Sequence, residues 1–190
     1  MYRRIFVRTM MKNTYITATI IAAMAVALSS CTKQKLELTY TSQETKIDSY
    51  VESVMKSDST VTISHNKGAA RLTLKAGEGE ALQEGGTISF YYAGYVFQSR
   101  PSDLFATNNA EIAQSAGWNL DEEQLKIMTF NMSSDTMVKG LRNGLIGVRA
   151  GEECEIIFSG KYGFGKKTFG IIPANSALLY KIWVHSISNE

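Results

Sequence analysis

The sequence predicts an α+β domain in which five or six mostly antiparallel strands wrap around one short helix. Three observations carry this expectation. Apolar and β-branched residues alternate at Arg71–Lys75 and crowd the runs Thr87–Phe97, Cys154–Ser159 and Ala177–Ile187. One strong helical stripe stands among them, with Met137, Val138, Leu141 and Leu145 on a single face. Between the last two strands, Gly160, Gly163, Gly165 and Gly170 share a loop with Tyr162, Phe164, Phe169, Ile171 and Ile172. Glycine at that density lets a backbone turn sharply or pass close to something. Large apolar groups on such a loop are expected to fold over a pocket.

Taken from the start, residues 1–30 read as an export signal. A basic stretch ends at Lys12, and Ile16–Leu28 is apolar but too short to span a bilayer. Met11–Ser30 alone has signal-peptide proportions, which makes Met11 an alternative start. The stretch closes with Leu28-Ser29-Ser30-Cys31, which resembles a bacterial lipobox and implies acylation of Cys31. The expected location is the bacterial cell envelope, with the domain facing the periplasm from the outer membrane. The whole chain carries a net charge of +2, and loss of the four basic residues before Cys31 leaves −2. No basic patch of the nucleic-acid type remains, so no nucleic-acid partner is expected.

Residues 31–69 read as a polar tether. Within it, Tyr50, Val51, Val54 and Met55 fit a short helix over Asp48–Lys56, with Asp48 as N-cap. The domain is expected over residues 70–190. Gly94 inside the Thr87–Phe97 strand suggests a bend or a close backbone contact. Loop 106–127 is the least strand-like part, with short helices expected at Asn109–Ala116 and Asp121–Met128. A short strand over Ile127–Met132 follows. The Met137–Ile146 helix is interrupted by Gly140 and Gly144 and stopped by Gly147.

With Cys31 acylated, Cys154 has no intramolecular partner, and its place in Glu-Cys-Glu-Ile-Ile-Phe suits a small core residue. Two histidines, His65 and His185, are the only ones. Neither a catalytic triad, a metal-ligand cluster nor a phosphate loop stands out, so no cofactor and no metal is expected.

The run Gly140–Glu152, the following strand, Tyr162-Gly-Phe-Gly and Gly170-Ile-Ile-Pro-Ala-Asn resemble the FK506-binding-protein (FKBP) type of peptidyl-prolyl isomerase. Phe90-Tyr91-Tyr92-Ala93-Gly94 and Phe105-Ala106-Thr107 fall on two further family motifs. The resemblance spans roughly residues 70–188. It implies an antiparallel half-barrel sheet wrapped on one helix, with an apolar pocket between them. Tyr92, Phe105, Val138, Leu141, Phe164, Ile172 and Tyr180 would do the catalytic work, and Met128, Phe130, Met137 and Ile171 would bind substrate.

By the same resemblance, the Val138 N–H would donate to the substrate carbonyl. Leu141 replaces a floor tryptophan, Ala106 an aspartate, and Phe164 a tyrosine whose hydroxyl bonds ligands. The partners implied are proline-containing segments of exported proteins and, through Cys31, a membrane. A non-catalytic peptide-binding or envelope-interaction lipoprotein on the same fold is the alternative. Ala106 and Phe164 favour it; Tyr92, Val138 and Ile171-Ile172-Pro173 favour the enzyme.

Overall fold

The structure, a computed structural model, describes residues 32–134 and 136–190. The expected export signal and Cys31 lie outside the described residues. Residues 42–190 form one compact unit. It contains most of helix α1 (32–57), then strands β1 (Thr62–Asn66), β2 (Ala69–Lys75), β3 (Thr87–Phe97) and β4 (Pro101–Thr107). Helix α2 (Ala110–Ser115), β5 (Met128–Asn131), α3 (Lys139–Leu145), β6 (Glu153–Phe158) and β7 (Ala177–Ser188) complete it.

All strand pairs are antiparallel, in the order β1-β2-β6-β7-β3-β4, with β5 also pairing β3. The five strands expected from sequence are present. The two that were not expected, β1 and β4, are the terminal strands of that order. Half of an edge strand's surroundings is water, so Thr-Ile-Ser-His-Asn and Pro-Ser-Asp-Leu-Phe-Ala-Thr carry little apolar signal. The β1–β2 turn is made by Lys67 (φ 45°) and Gly68 (φ 88°), the left-handed pair that suits a two-residue hairpin.

The sheet is covered on both faces. Phe90, Ile156, Phe158, Leu178, Tyr180 and Ile182 pack with Leu141 and Leu145 of α3 on one face. Leu72, Phe97, Ile157 and Leu179 pack with Ile47 and Val51 of α1 on the other. This is why β6 and β7 read as unbroken apolar runs, since each successive residue has a core to enter. Helix α1 differs from expectation: the tether and short helix become one helix from residue 32 to 57. Gln43 and Glu44 sit one turn before Ile47, so polar residues hid the continuation of the inward stripe. Asp48 is exposed within the helix and does not cap it.

The interrupting glycines of α3 are contacts. A Cβ on Gly140 would lie 2.1 Å from the Phe158 ring, and one on Gly144 would lie 2.2 Å from Ile156. Spaced by one turn, they let the helix rest flush on β6. Arg71 of β2 donates to the carbonyls of Gly144 and Ile146 at 3.0 and 2.9 Å, closing the helix's C-terminal end. Its guanidinium also pairs with buried Glu152 at 3.4 Å. The Asn143 amide donates to the Lys67 carbonyl and the Asn66 amide to the Asn143 carbonyl, both at 2.9 Å. The helix is therefore fixed beneath, behind and beside.

Elsewhere, Asn109 caps α2 by accepting from the Ile112 N–H at 3.1 Å. The helix expected at 121–128 is a single turn closed by reciprocal Asp121–Gln124 bonds, because the chain turns directly into β5. Cys154 is buried on the α3 side of β6, where burial and then Glu152 hold its thiol protonated well above the ordinary range.

Alanine at Gly140 tests the flush contact. It should gain about 1 kcal/mol of helix propensity and lose about 1–3 kcal/mol to overpacking against Phe158. A lower urea midpoint at unchanged slope is expected; a higher midpoint would refute the contact.

Candidate active site

Where α3 meets the concave face of the sheet, a cavity of about 620 Å³ opens. That is ordinary for a pocket of small-molecule or side-chain size, about 300–1,000 Å³. Period two in β3 turns Phe90 and Tyr92 towards it, and β7 adds Tyr180. Phe105 and Ala106 enter from β4, and Met128 and Phe130 from β5. The entry to α3 brings Met137, Val138 and Leu141; the loop after β6 brings Phe164, Ile171 and Ile172. All eleven pocket residues expected from sequence thus border one cavity.

Exposure separates the inner wall from the rim. Ile172, Leu141 and Tyr180 are at most 5% exposed, whereas Ile171 and Phe169 are 62% and 63% exposed. The aromatic rings form a chain across the site. Tyr180 stacks on Phe158 at 6.0 Å and meets Phe105 edge-on at 5.6 Å. Phe105 meets Phe164 at 6.4 Å, and Phe164 stacks on Phe169 at 5.0 Å. Gly94 makes this possible, because a Cβ there would sit 2.6 Å from the Phe105 ring.

The flap has a defined backbone. Phe169 and Ile172 exchange both main-chain hydrogen bonds, at 3.0 and 2.9 Å, with Gly170 in the left-handed region at φ 56°. This tight turn holds Ile171 out on the rim and Ile172 inward. On the opposite rim, Gly117 (φ 71°) ends α2, and the Trp118 N–H returns to the Ala113 carbonyl at 2.8 Å. Trp118 thereby joins the lining.

Six further residues border the cavity beyond the eleven expected: Phe90, Ala106, Trp118, Thr136, Phe169 and Gly170. Phe90 was legible from its period-two relation to Tyr92. Phe169 was visible as one of the flap's rings without an assigned place. Thr136 carried no signal. His185 is exposed and does not border the cavity, as its alternation with Tyr180, Ile182 and Val184 indicated.

Among the described residues, the lining contains no carboxylate, amine, imidazole or thiol. Its polar side chains are Tyr92, Tyr180, Thr136 and the Trp118 indole. Burial raises the phenols of Tyr92 and Tyr180 above the ordinary tyrosine range, and Tyr92 further raises Tyr180. Among the described residues, no group of three or more His, Cys, Asp or Glu side chains converges in a metal-binding arrangement. Such a cavity can strip water from an apolar or neutral polar ligand. None of its described residues offers a group to attack one or to move a proton near neutral pH.

The sequence model of FKBP-type peptidyl-prolyl cis-trans isomerases matches residues 78–185. The chain belongs to this family. It is 24% identical to FK506-binding protein 1 of Aspergillus oryzae over 116 residues, covering 60% of this chain and 94% of that protein. It is 25% identical to FK506-binding protein 1B of Aspergillus fumigatus over 125 residues, covering 65% and 97%. Its fold is shared with FkpA from Escherichia coli, at a TM-score of 0.52 and 20% identity over 90% of this chain and 70% of that one. It is shared also with the three FKBP domains of wheat FKBP73, at a TM-score of 0.53 and 21% identity over 67% of this chain. The chain spans half the length of that wheat structure. The antiparallel open sheet with its helix is thus that of FKBP isomerases.

An absence of titrating pocket groups has a kinetic consequence. Tyr92 and Tyr180 keep their protons beyond the ordinary tyrosine pKa of about 10, and no other described residue of the lining carries a group that ionises near neutrality. Isomerase kcat/KM should therefore be flat between about pH 6 and about pH 9. A bell-shaped profile in that range would place an ionising group in the site.

Proposed function

We propose that this protein is a lipid-anchored peptidyl-prolyl cis-trans isomerase that assists the folding of exported proteins. The observation that carries the reading is the aromatic cavity, uncharged among its described residues, roofed by Ile172 and Phe164 and floored by α3. Rotation about an X–Pro bond faces a barrier of about 18–20 kcal/mol and takes tens of seconds or longer unaided. Twisting removes amide resonance, so the oxygen loses charge and the nitrogen gains lone-pair character. The planar amide therefore loses more hydration on entering a dry cavity than the twisted one does. That difference lowers the barrier with no nucleophile, acid or metal.

Val138, Ile172 and the aromatic residues have distinct parts in this mechanism. The Val138 N–H, at the mouth of α3, would receive the substrate carbonyl next to the proline. Tyr92, Phe105 and Tyr180 would surround the proline ring, with Leu141 beneath it. Phe164, Ile171, Met128, Phe130 and Met137 would contact the flanking residues. Ala106 removes a carboxylate and Phe164 a hydroxyl relative to the family pattern, which makes the cavity drier and the desolvation contribution larger. The loss of two polar groups weakens peptide affinity more than it affects the twisting step.

Anchoring rests on the sequence Leu28-Ser29-Ser30-Cys31. Among the described residues, no helix is long and apolar enough to cross a membrane. Acyl chains on Cys31 would hold the domain at an outer-membrane surface in the periplasm.

A proline-limited refolding reaction tests the enzyme reading. Micromolar protein should accelerate the slow phase, and an unchanged phase would reject isomerase activity in favour of a binding module. Placing a charge in the cavity with Ile172→Asp should reduce the acceleration at least about tenfold. For the anchor, Cys31→Ala should release the protein from membranes; retention would refute acylation.

A further inference from the structure

The flap is gripped at its neck by a side chain from outside the family-matched segment. Gln43 of α1 accepts a hydrogen bond from the Gly160 N–H through its Oε1, at 2.8 Å. Through its Nε2 it donates to the Asn175 carbonyl, also at 2.8 Å. One amide thus spans the first and last turns of the loop that carries Phe164, Ile171 and Ile172. The two limbs are already pinched together there. A Cβ on Gly160 would meet the Asn175 oxygen at 2.0 Å, so only glycine lets the limbs close to this distance. Beside it, the Ser159 hydroxyl donates to Glu44 at 3.3 Å.

Within the flap, the Asn175 N–H donates to the Gly165 carbonyl at 2.8 Å. The neck bonds therefore continue into the Phe164–Gly165 segment above the cavity. Helix α1 is a firm mount for this grip. Ile47 and Val51 are each 5% exposed in the outer core, and the Tyr50 hydroxyl donates to Glu155 of β6 at 2.8 Å. Gln43 lies one turn ahead of Ile47, near the middle of the helix.

We infer that Gln43 is a positioning residue for the isomerase reaction: its amide clamps the neck of the flap so that Phe164 and Ile172 stay over the proline pocket. The clamp makes α1 part of the substrate site, although the helix touches the opposite face of the sheet. The inference rests on this pocket being where the prolyl peptide binds. The clamp itself is a property of the flap and can be read without turnover.

Two substitutions in the full chain separate clamping from simple packing. Gln43→Met keeps the volume and removes both hydrogen bonds. Gln43→Glu keeps the acceptor for Gly160 but puts a carboxylate against the Asn175 carbonyl oxygen. Amide hydrogen exchange is measured at Gly160, Ile172 and Asn175 in the flap and at Ile156 and Leu179 in the sheet. Flap exchange should rise about fivefold to tenfold in Met and further in Glu, while sheet exchange stays unchanged. With a proline tetrapeptide, KM should rise in the same order and kcat should be retained. Unchanged flap exchange, or an equal rise in flap and sheet, would overturn the clamp. If the unmodified chain shows no turnover, the isomerase reading falls, and the exchange pattern alone decides the clamp.

Discussion

The pocket depends on how closely α3 can approach β6. Gly140 and Gly144 remove the two side chains that would hold the helix away from Phe158 and Ile156. The helix settles onto the sheet, and Leu141 between them becomes the floor of the cavity. Arg71 and Asn143 then lock the helix from its C-terminal end and from the β1–β2 turn. A floor fixed this firmly cannot rise to fill the cavity or relax around its contents, so the space above it persists.

Around that space the described residues are mainly rings and aliphatics, with no charged side chain among them. Tyr180 is the centre of the ring cluster, with Phe158 stacked against it and Phe105 at its edge. The buried acids lie elsewhere. Glu152 is paired with Arg71, and Glu155 is held on the other face by Tyr50 and Lys181. Segregation of this kind lets the chain carry buried charge for structure while the described lining of its site stays apolar. A dry site suits a reaction in which an amide becomes less polar on the way to its transition state. Neither Ala106 nor Phe164 works against that requirement.

The long central strands, the pocket helix and the flap were legible in the sequence because each is apolar on every side that meets a core. Of the eleven pocket residues, Tyr92, Phe105, Leu141, Phe164, Ile171 and Ile172 lie in the family motifs, and the other five were legible only through the wider resemblance. What was hidden was hidden by polarity. Strands β1 and β4 are edges, so their sequences alternate weakly. Helix α1 reaches the flap through Gln43 and Glu44, and an inward-facing amide looks like linker to any reading based on hydrophobic period. Gly140 and Gly144 were seen and misread, since a glycine that permits contact and one that breaks a helix are the same letter until the neighbouring strand is known. Residue Trp118 needed the left-handed turn at Gly117 to bring it over the pocket.

The central claim is that a prolyl peptide is isomerised in the cavity between α3 and the sheet. Two-dimensional exchange NMR on a proline tetrapeptide, with the protein isotopically labelled and present in catalytic amounts, tests it directly. The account predicts cis–trans exchange cross-peaks that appear only with protein, together with amide shifts at Tyr92, Val138 and Ile172. Shifts confined to the α1 face of the sheet, or binding at the pocket with no exchange cross-peaks, would contradict it.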